Sequence, residues 1–502
     1  MLSDDAIKLL EQRYTNKGET ADAILKRVAR ALAIRDTKFE KELYSYMAEG
    51  IFFPNSPAIR NAGYKKAMLS ACFVLPIEDS IMSIYDTVRN MAVVFQRGGG
   101  VGINFSALRP KDSGLTGGGF SSGAVSFMNI FDATTEVVKQ GGFRRGAGLF
   151  ALNFNHPDIE DFCQAKLKGR LQNANLSVAV TDDDVQAIQK RKVIDLVHDG
   201  KVVSTANASN ILDLLAFGSW VCGDPGVIFL DRINKDNRLY PEVTITCTNP
   251  CGEVPLPNWG ACCLGSVNLT KFVEKDCFNK EKFTEALKLA SRVLLNINTI
   301  NFHPLQPINK IMQELNPIGV GMMGFADTLI MLGIKYDSKD AINFIDEIGP
   351  IYAEVTNDSA PDSFYKRSIA PTGSLSILAS CSSGIEPVFA TDYERHLTVG
   401  VIHETKDLYR SEFCRTAHQI DPLWHLSIQA AWQKYVDAGV SKTINCSSRT
   451  TVEDIRHIFL QAHKMGVKGV TIFRDRSIDG VWKALNGNNQ PPTKCEEGVC
   501  TL

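Results

Sequence analysis

Long hydrophobic runs are missing from this sequence. None reaches the roughly 18–20 apolar residues that a membrane-spanning helix requires. A charge excess of either sign is missing too, since 54 basic residues face 56 acidic ones. Bulk electrostatics therefore gives no reason to expect binding to nucleic acid or to a membrane surface. The N-terminus, "MLSDDAIKLLEQRYTNKGET", is charged and amphipathic and lacks the apolar core of a signal peptide. A cytoplasmic protein is expected. No fixed-period repeat is present, which sets solenoids and propellers aside. A dinucleotide fingerprint is also lacking: "GGGVGINF" (98–105) leads into an apolar, strand-like stretch and not into a helix. Its glycines are better explained by close approach of backbone to a ligand or a neighbouring strand.

What is present describes an ordinary globular chain. It has 502 residues, 44% hydrophobic and 22% charged, enough for a large core and more than one structural unit. Residues 1–50 carry short helical patterns, among them "AILKRVARALAI" and "KFEKELYSYMAEG", and predict a small helical domain. From 51 to 482 strand-like and helical segments alternate, the pattern of an α/β fold. Strand candidates are "ACFVLPI", "VVSTA", "GVIFL", "SLSILAS" and "GVTIF"; helix candidates include "FTEALKLASRVLLNINTI" and "LWHLSIQAAWQKYVDAG". Residues 483–502 turn polar and Pro/Asn/Gly-rich and read as a flexible tail.

Thirteen cysteines are an odd number and cannot all pair within the chain. In a reducing compartment thiols stay reduced unless they serve redox or metal chemistry. Cys163, Cys222, Cys414 and Cys446 lie in or beside apolar segments and read as small buried hydrophobes. Cys247, Cys251, Cys262 and Cys263 are clustered, but C-x3-C-x10-C-C matches no common zinc pattern, and no metal site is expected there. Adjacent Cys262 and Cys263 rarely reach disulfide geometry. In "NPCGE", Asn249, Cys251 and Glu253 occupy alternate positions, so an extended loop would project an amide, a thiol and a carboxylate to one side. That set could hold a hydroxyl, supply a sulfur reagent and accept a proton. A loop with an incidental cysteine fits the same residues. Arg144 and Arg145 in "KQGGFRRGAGLF" suit bidentate phosphate contacts, as they also suit a solvated surface. The tail pair Cys495 and Cys500 reads equally as two incidental thiols or half a metal site.

Resemblance narrows these alternatives. "NPCGEVPL", followed eleven residues after its cysteine by "CxLGSVNL", resembles the finger loop of ribonucleotide reductase large chains. "FFPNSPAIRNAG", "LSACFVLPIEDS", "GGGVGINFSALRP", "GGFRRGAG", "NANLSVAVTD", "GDPGVIFLDRIN", "PIGVGMMGFADTL", "APTGSLSI" with "SSGIEPVF", and "GVKGVTIFRDRS" are similar to blocks of that family, in family order, over about residues 50–480. The implied fold is a ten-stranded α/β barrel of two five-stranded halves, a finger loop at its centre and a small helical domain before it.

The resemblance also implies roles. Cys251 would be the thiyl radical that removes the 3′-hydrogen of a ribonucleotide, Glu253 the acceptor of the 3′-hydroxyl proton, and Asn249 the holder of the substrate hydroxyls. Cys72 and Cys262 would be the dithiol oxidised as the 2′-hydroxyl leaves as water. Cys263 stands where the family usually has Asn. Cys495 and Cys500 would re-reduce the buried disulfide by exchange and then be reduced by thioredoxin or a similar protein. Substrate-binding positions would be Ser56, Ala71, Gly100, Pro371, Thr372, Gly373 and Ser374, with Thr372 to Ser374 offering hydroxyls and N–H groups to phosphate at a helix start. Arg144 and Arg145 fall in the region of the specificity loops, where a deoxynucleotide effector would bind, and Phe143 stands where a lysine is common. Dimer helices of a homodimer match the same region. The residues ahead of the barrel are too few for the family's ATP-cone, so no dATP shut-off is expected.

The radical source follows from what the barrel end does not carry. Relatives fed by a separate metal-radical subunit have adjacent relay tyrosines there, whereas the last tyrosine of this chain is Tyr435 and the matching stretch has Phe473. A glycyl-radical R-x-x-G-Y context is absent as well. Elimination and the look of "GVTIFRDRS" point to adenosylcobalamin as cofactor. A large subunit needing a metal-radical partner is the second expectation, and a non-catalytic nucleotide-binding relative the third. The substrate would be a ribonucleoside di- or triphosphate.

Overall fold

A computed structural model describes residues 2–15, 18–140, 144–397, 400–475, 477 and 482–484. The chain divides into two compact units. One contains Met1–Cys72 and Ala261–Lys442, the other Phe73–Gly260 and Thr443–Asp479. No helix among the described residues is long and apolar enough to cross a membrane.

The first unit opens with three helices, α1 (Asp4–Arg13), α2 (Ala21–Leu32) and α3 (Thr37–Ala48). Each starts on a side-chain cap, Ser3, Thr20 and Asp36, whose oxygen accepts an otherwise unpaired N–H of the first turn. On α2 the apolar residues Ile24, Leu25, Val28 and Leu32 recur at helical spacing and are all buried. A short helix, α4 (Ser56–Asn61), follows with Asn55 as its cap and Pro57 in its first turn.

Behind these lies a strand Ala261–Asn268, buried along its whole length. It pairs antiparallel with Phe52–Pro54 and parallel with Ile318–Met323, register Cys263 opposite Ile318. Isolated parallel bridges, Val320 to Arg367 and Ile369 to Val440, extend the pattern. Burial on both faces is the signature of a parallel sheet covered by helices. Here Lys280–Ile300 and Lys339–Ser359 supply apolar faces to the same hydrophobic cluster as the strands.

The second unit runs four parallel neighbours in sequence order: Gly100–Asn104, Ala147–Asn153, Ala174–Val180 and Gly226–Phe229. Gly469–Arg474 closes antiparallel onto the last, and Thr443–Cys446 pairs parallel with it in turn. Phe105, Phe131 and Phe150 meet edge to face, with centroids 4.9 to 6.2 Å apart, in this unit's core. The α/β class expected from alternating segments is the class observed. Of the five strand candidates, "VVSTA" forms one arm of a separate hairpin, Val193–His198 with Lys201–Asn207.

Two expectations are corrected. "SLSILAS" is not a strand but the helix Gly373–Ala379. Every residue from Leu375 to Ala379 is buried, so the run carries no 3.6-residue periodicity that would separate a buried helix from a buried strand. The helix in "LWHLSIQAAWQKYVDAG" ends at Gln433, short of the pattern's end. Asp437 draws the chain out by accepting the N–H groups of Lys366, Arg367 and Ala438. Among the four cysteines read as core, Cys163 and Cys446 are buried, while Cys222 and Cys414 are half-buried.

The glycine-rich stretch does bring backbones together. A Cβ on Gly102 would lie 1.7 Å from the carbonyl oxygen of Thr248, and one on Gly100 would lie 3.1 Å from Pro250. Strand Gly100–Asn104 thus seats the loop that starts at Thr248. G102A is expected to force that loop off its seat, lowering stability by about 1–3 kcal/mol, read as a fall in the midpoint of urea unfolding. An unchanged midpoint would refute the close contact.

Candidate active site

In the second unit, Cys247–Thr248 and Pro255–Leu256 pair antiparallel, Cys247 opposite Leu256, and make the stem of a small hairpin. Its tip is Asn249 to Val254. Pro250 fixes one φ, Gly252 adopts φ 78°, and Gly252 N–H donates to the Asn249 carbonyl at 3.0 Å. The backbone N–H of Asn249 reaches the Val254 carbonyl at 3.2 Å and closes the loop.

This geometry corrects how the three residues come together. The loop is a tight turn and not an extended strand, so alternation along the chain does not gather them. Turn closure does. Asn249 Nδ2 donates to Glu253 Oε2 at 2.8 Å, while Asn249 Oδ1 accepts the N–H of Val254 at 2.9 Å. A backbone N–H can only donate, so the amide orientation is fixed and its NH₂ must face the carboxylate. Asn249 and Glu253 are 1% and 2% exposed. Cys251, between them at the turn, is half-buried and so the more reachable of the three. Asn175 Nδ2 donates to the Pro250 carbonyl at 3.0 Å and ties the turn to the strand Ala174–Val180.

In the first unit the redox candidates are neighbours through the backbone. The N–H of Ala71 donates to the carbonyl of Cys262 at 3.3 Å, one residue from Cys72. Both cysteines are buried, Cys72 at 5% and Cys262 at 0% exposed. Cys263, next along the strand, points to the opposite face, into the hydrophobic cluster of the helices. There it meets a polar group: Ser70 Oγ lies 3.3 Å from its Sγ and 3.1 Å from His303 Nε2, and Asn301 Nδ2 lies 2.6 Å from Ser70 Oγ. Burial pushes the Cys263 thiol up to about 12 and drops His303 to about 4, so both are neutral at physiological pH. A protonated, buried thiol is a poor nucleophile. Cys263 thus lies in a polar cluster of Ser70, Asn301 and His303.

The phosphate candidates sit on the helix Gly373–Ala379. Thr372 precedes it with φ 59°, and its Oγ1 accepts the Gly384 N–H at 2.7 Å. Ser374 Oγ accepts from Arg13 Nη1 at 2.9 Å, and Ser56 Oγ lies 2.9 Å from Tyr14 Oη. Arg13 and Tyr14, at the end of α1, carried no sequence signal beyond a basic residue in a last helical turn. Arg144 and Arg145 form a two-residue strand paired with Lys139–Gln140; their side chains, like Phe143, Cys495 and Cys500, fall outside the described residues.

Two family descriptions match the chain. "Ribonucleotide reductase, all-alpha domain" matches residues 1–67, and "Ribonucleotide reductase, barrel domain" matches 70–359 and 402–473. A chain with a helical domain followed by that barrel is defined as a reductase large chain by class. It belongs to the ribonucleotide reductase family. A vitamin B12-dependent ribonucleoside-diphosphate reductase of Thermoplasma acidophilum is 39% identical, over 85% of this chain and 64% of the relative. A protein of the same description from Mycobacterium tuberculosis is 33% identical, over 95% of this chain and 80% of its own length. The chain thus spans slightly under two thirds of the first relative and four fifths of the second. The solved class Id ribonucleotide reductase alpha subunit of Actinobacillus ureae superposes with a TM-score of 0.80, covering 95% of this chain and 97% of its own, at 22% identity. That likeness carries the fold: the expected α/β barrel with a helical domain before it is the fold of this chain.

Proposed function

We propose that this protein reduces ribonucleotides to 2′-deoxyribonucleotides by radical chemistry started at Cys251, with adenosylcobalamin as the radical source. The observation that carries the reading is the Asn249–Glu253 pair, locked by turn closure around a half-buried thiol. Adenosylcobalamin supplies a carbon-centred radical through homolysis of its cobalt–carbon bond. The exposed side of the Cys251 turn suits an external hydrogen acceptor better than a sealed sulfur would. Two of the relatives are named vitamin B12-dependent. Phe473, 8% exposed in the strand Gly469–Arg474, has no phenolic proton for a radical relay, which speaks against the alternative of a separate metal-radical subunit.

In this reading the Cys251 sulfur radical takes the 3′-hydrogen of the sugar, and Glu253 takes the proton of the 3′-hydroxyl. Asn249 holds the sugar hydroxyls and keeps the carboxylate in place. The 2′-hydroxyl leaves as water. Cys72 and Cys262 then supply two electrons and two protons, becoming a disulfide, and the 3′-hydrogen returns from Cys251. The balance is ribonucleotide plus dithiol to deoxyribonucleotide, disulfide and water. Cys495 and Cys500 would reduce that disulfide by exchange, with thioredoxin or a similar protein as their own reductant. Ser56, Ala71, Gly100 and the Pro371–Ser374 segment hold substrate, and Arg144 and Arg145 serve a deoxynucleotide effector in a cytoplasmic homodimer.

The test is turnover of a ribonucleoside diphosphate with adenosylcobalamin and a small dithiol, and no second protein. Deoxynucleotide formation is expected. Strict dependence on an added metal-radical subunit would overturn the cofactor assignment.

A further inference from the structure

Behind the strand that carries Cys262, a chain of hydrogen bonds joins stretches of the first unit that are distant in sequence. Asn301 stands just past the helix Lys280–Ile300. Its Oδ1 accepts the Leu69 N–H at 2.8 Å, which turns its NH₂ toward Ser70 Oγ at 2.6 Å and Cys263 Sγ at 3.5 Å. Ser70 Oγ in turn lies 3.3 Å from Cys263 Sγ and 3.1 Å from His303 Nε2.

Each proton in this chain has an assignable place. Asn309 Nδ2 donates to the His303 carbonyl at 3.2 Å, which leaves Asn309 Oδ1 to accept from His303 Nδ1 at 3.2 Å. A neutral imidazole protonated at Nδ1 offers Nε2 as an acceptor. The Ser70 hydroxyl therefore donates to His303, and its lone pairs receive the Asn301 N–H and the Cys263 S–H. Ser70, Cys263 and His303 are buried, so these bonds are shielded from water.

The fixed points adjoin the redox candidates. Ser70 is two residues before Cys72, and Cys263 directly follows Cys262. The Ala71 N–H, donating to the Cys262 carbonyl at 3.3 Å, is the rung between the two segments. A disulfide needs its Cα atoms within about 4.4–6.8 Å of each other. A brace on both segments raises the effective concentration of one thiol at the other. We propose that Asn301 is a positioning residue for Cys72 and Cys262, clamping their segments together through Ser70 and Cys263 and so favouring the disulfide over the dithiol. This rests on the reading of Cys72 and Cys262 as the pair oxidised in turnover.

The unaltered protein, N301A, C263S and C263A are equilibrated with mixtures of reduced and oxidised glutathione. The Cys72–Cys262 disulfide is then quantified by alkylation and peptide mass spectrometry. In that exchange two S–H bonds break, an S–S bond forms, and two electrons and two protons convert oxidised glutathione to two thiols. N301A should lower the equilibrium constant for the disulfide roughly 3- to 30-fold, the range of one or two lost hydrogen bonds. Its KM for a ribonucleoside diphosphate should hold, since no member of the brace is assigned to substrate. C263S, which keeps a hydroxyl to donate to Ser70, should stay within about twofold of the unaltered protein, and C263A should fall with N301A. A brace that served stability alone would lower the unfolding midpoint of N301A and leave the equilibrium constant unchanged, and that result would overturn the proposal. Should N301A not fold, C263A decides: an unchanged constant there would overturn it. A disulfide of different pairing in the unaltered protein after turnover would sink the redox pair itself, and the role of the brace with it.

Discussion

C251S should lose ribonucleotide reduction by at least about 10³-fold while still binding substrate. Serine differs from cysteine by one atom, and the turn that carries it is fixed by Pro250, the positive φ of Gly252 and the Asn249 backbone, none of which involves the side chain. Geometry should survive. The chemistry should not, because an O–H bond is too strong to be opened by a carbon-centred radical in the way an S–H bond is. Single-turnover assays with and without excess dithiol distinguish this from failure of re-reduction. A C251S protein with turnover within tenfold of the unaltered one would refute the role of the sulfur.

E253Q is expected to be nearly as damaging for a different reason. A glutamine side chain is close in shape, and its carbonyl can still accept from Asn249 Nδ2 as Glu253 Oε2 does at 2.8 Å. What disappears is a group able to take a proton. General-base catalysis contributes typically ~10²–10⁴-fold, and kcat should fall by that range while KM and the unfolding midpoint hold. If kcat is retained, the carboxylate serves only to position Asn249, and another acceptor must take the proton. N249A would then be the more harmful change.

Much of this was legible in the sequence because the informative features are local. The α2 stripe and the caps Ser3, Thr20 and Asp36 follow from short-range pattern. "NPCGE" carries its turn in its own Pro and Gly, and Asn249 and Glu253 do meet there, through turn closure and not through an extended loop. Three things were hidden. "SLSILAS" reads as a strand because full burial erases the period that marks a helix. The fit of Gly102 against Thr248 joins residues 146 positions apart, and only coordinates reveal that the glycine is there for its missing Cβ. Arg13 looks like any cation completing a helix, and its link to Ser374 spans 361 positions. Cys263 is a fourth case of another kind. Its departure from the family pattern was visible, while its partners Ser70 and Asn301 come from other segments of the chain.

The most direct measurement is electron paramagnetic resonance of the protein frozen within milliseconds of mixing with adenosylcobalamin, a ribonucleoside diphosphate and an effector. A sulfur-centred radical coupled to cobalt is expected, present in the unaltered protein and in E253Q and missing from C251S. A signal of equal intensity in C251S, or none in a protein that nevertheless turns over, would contradict the origin of the reaction at residue 251.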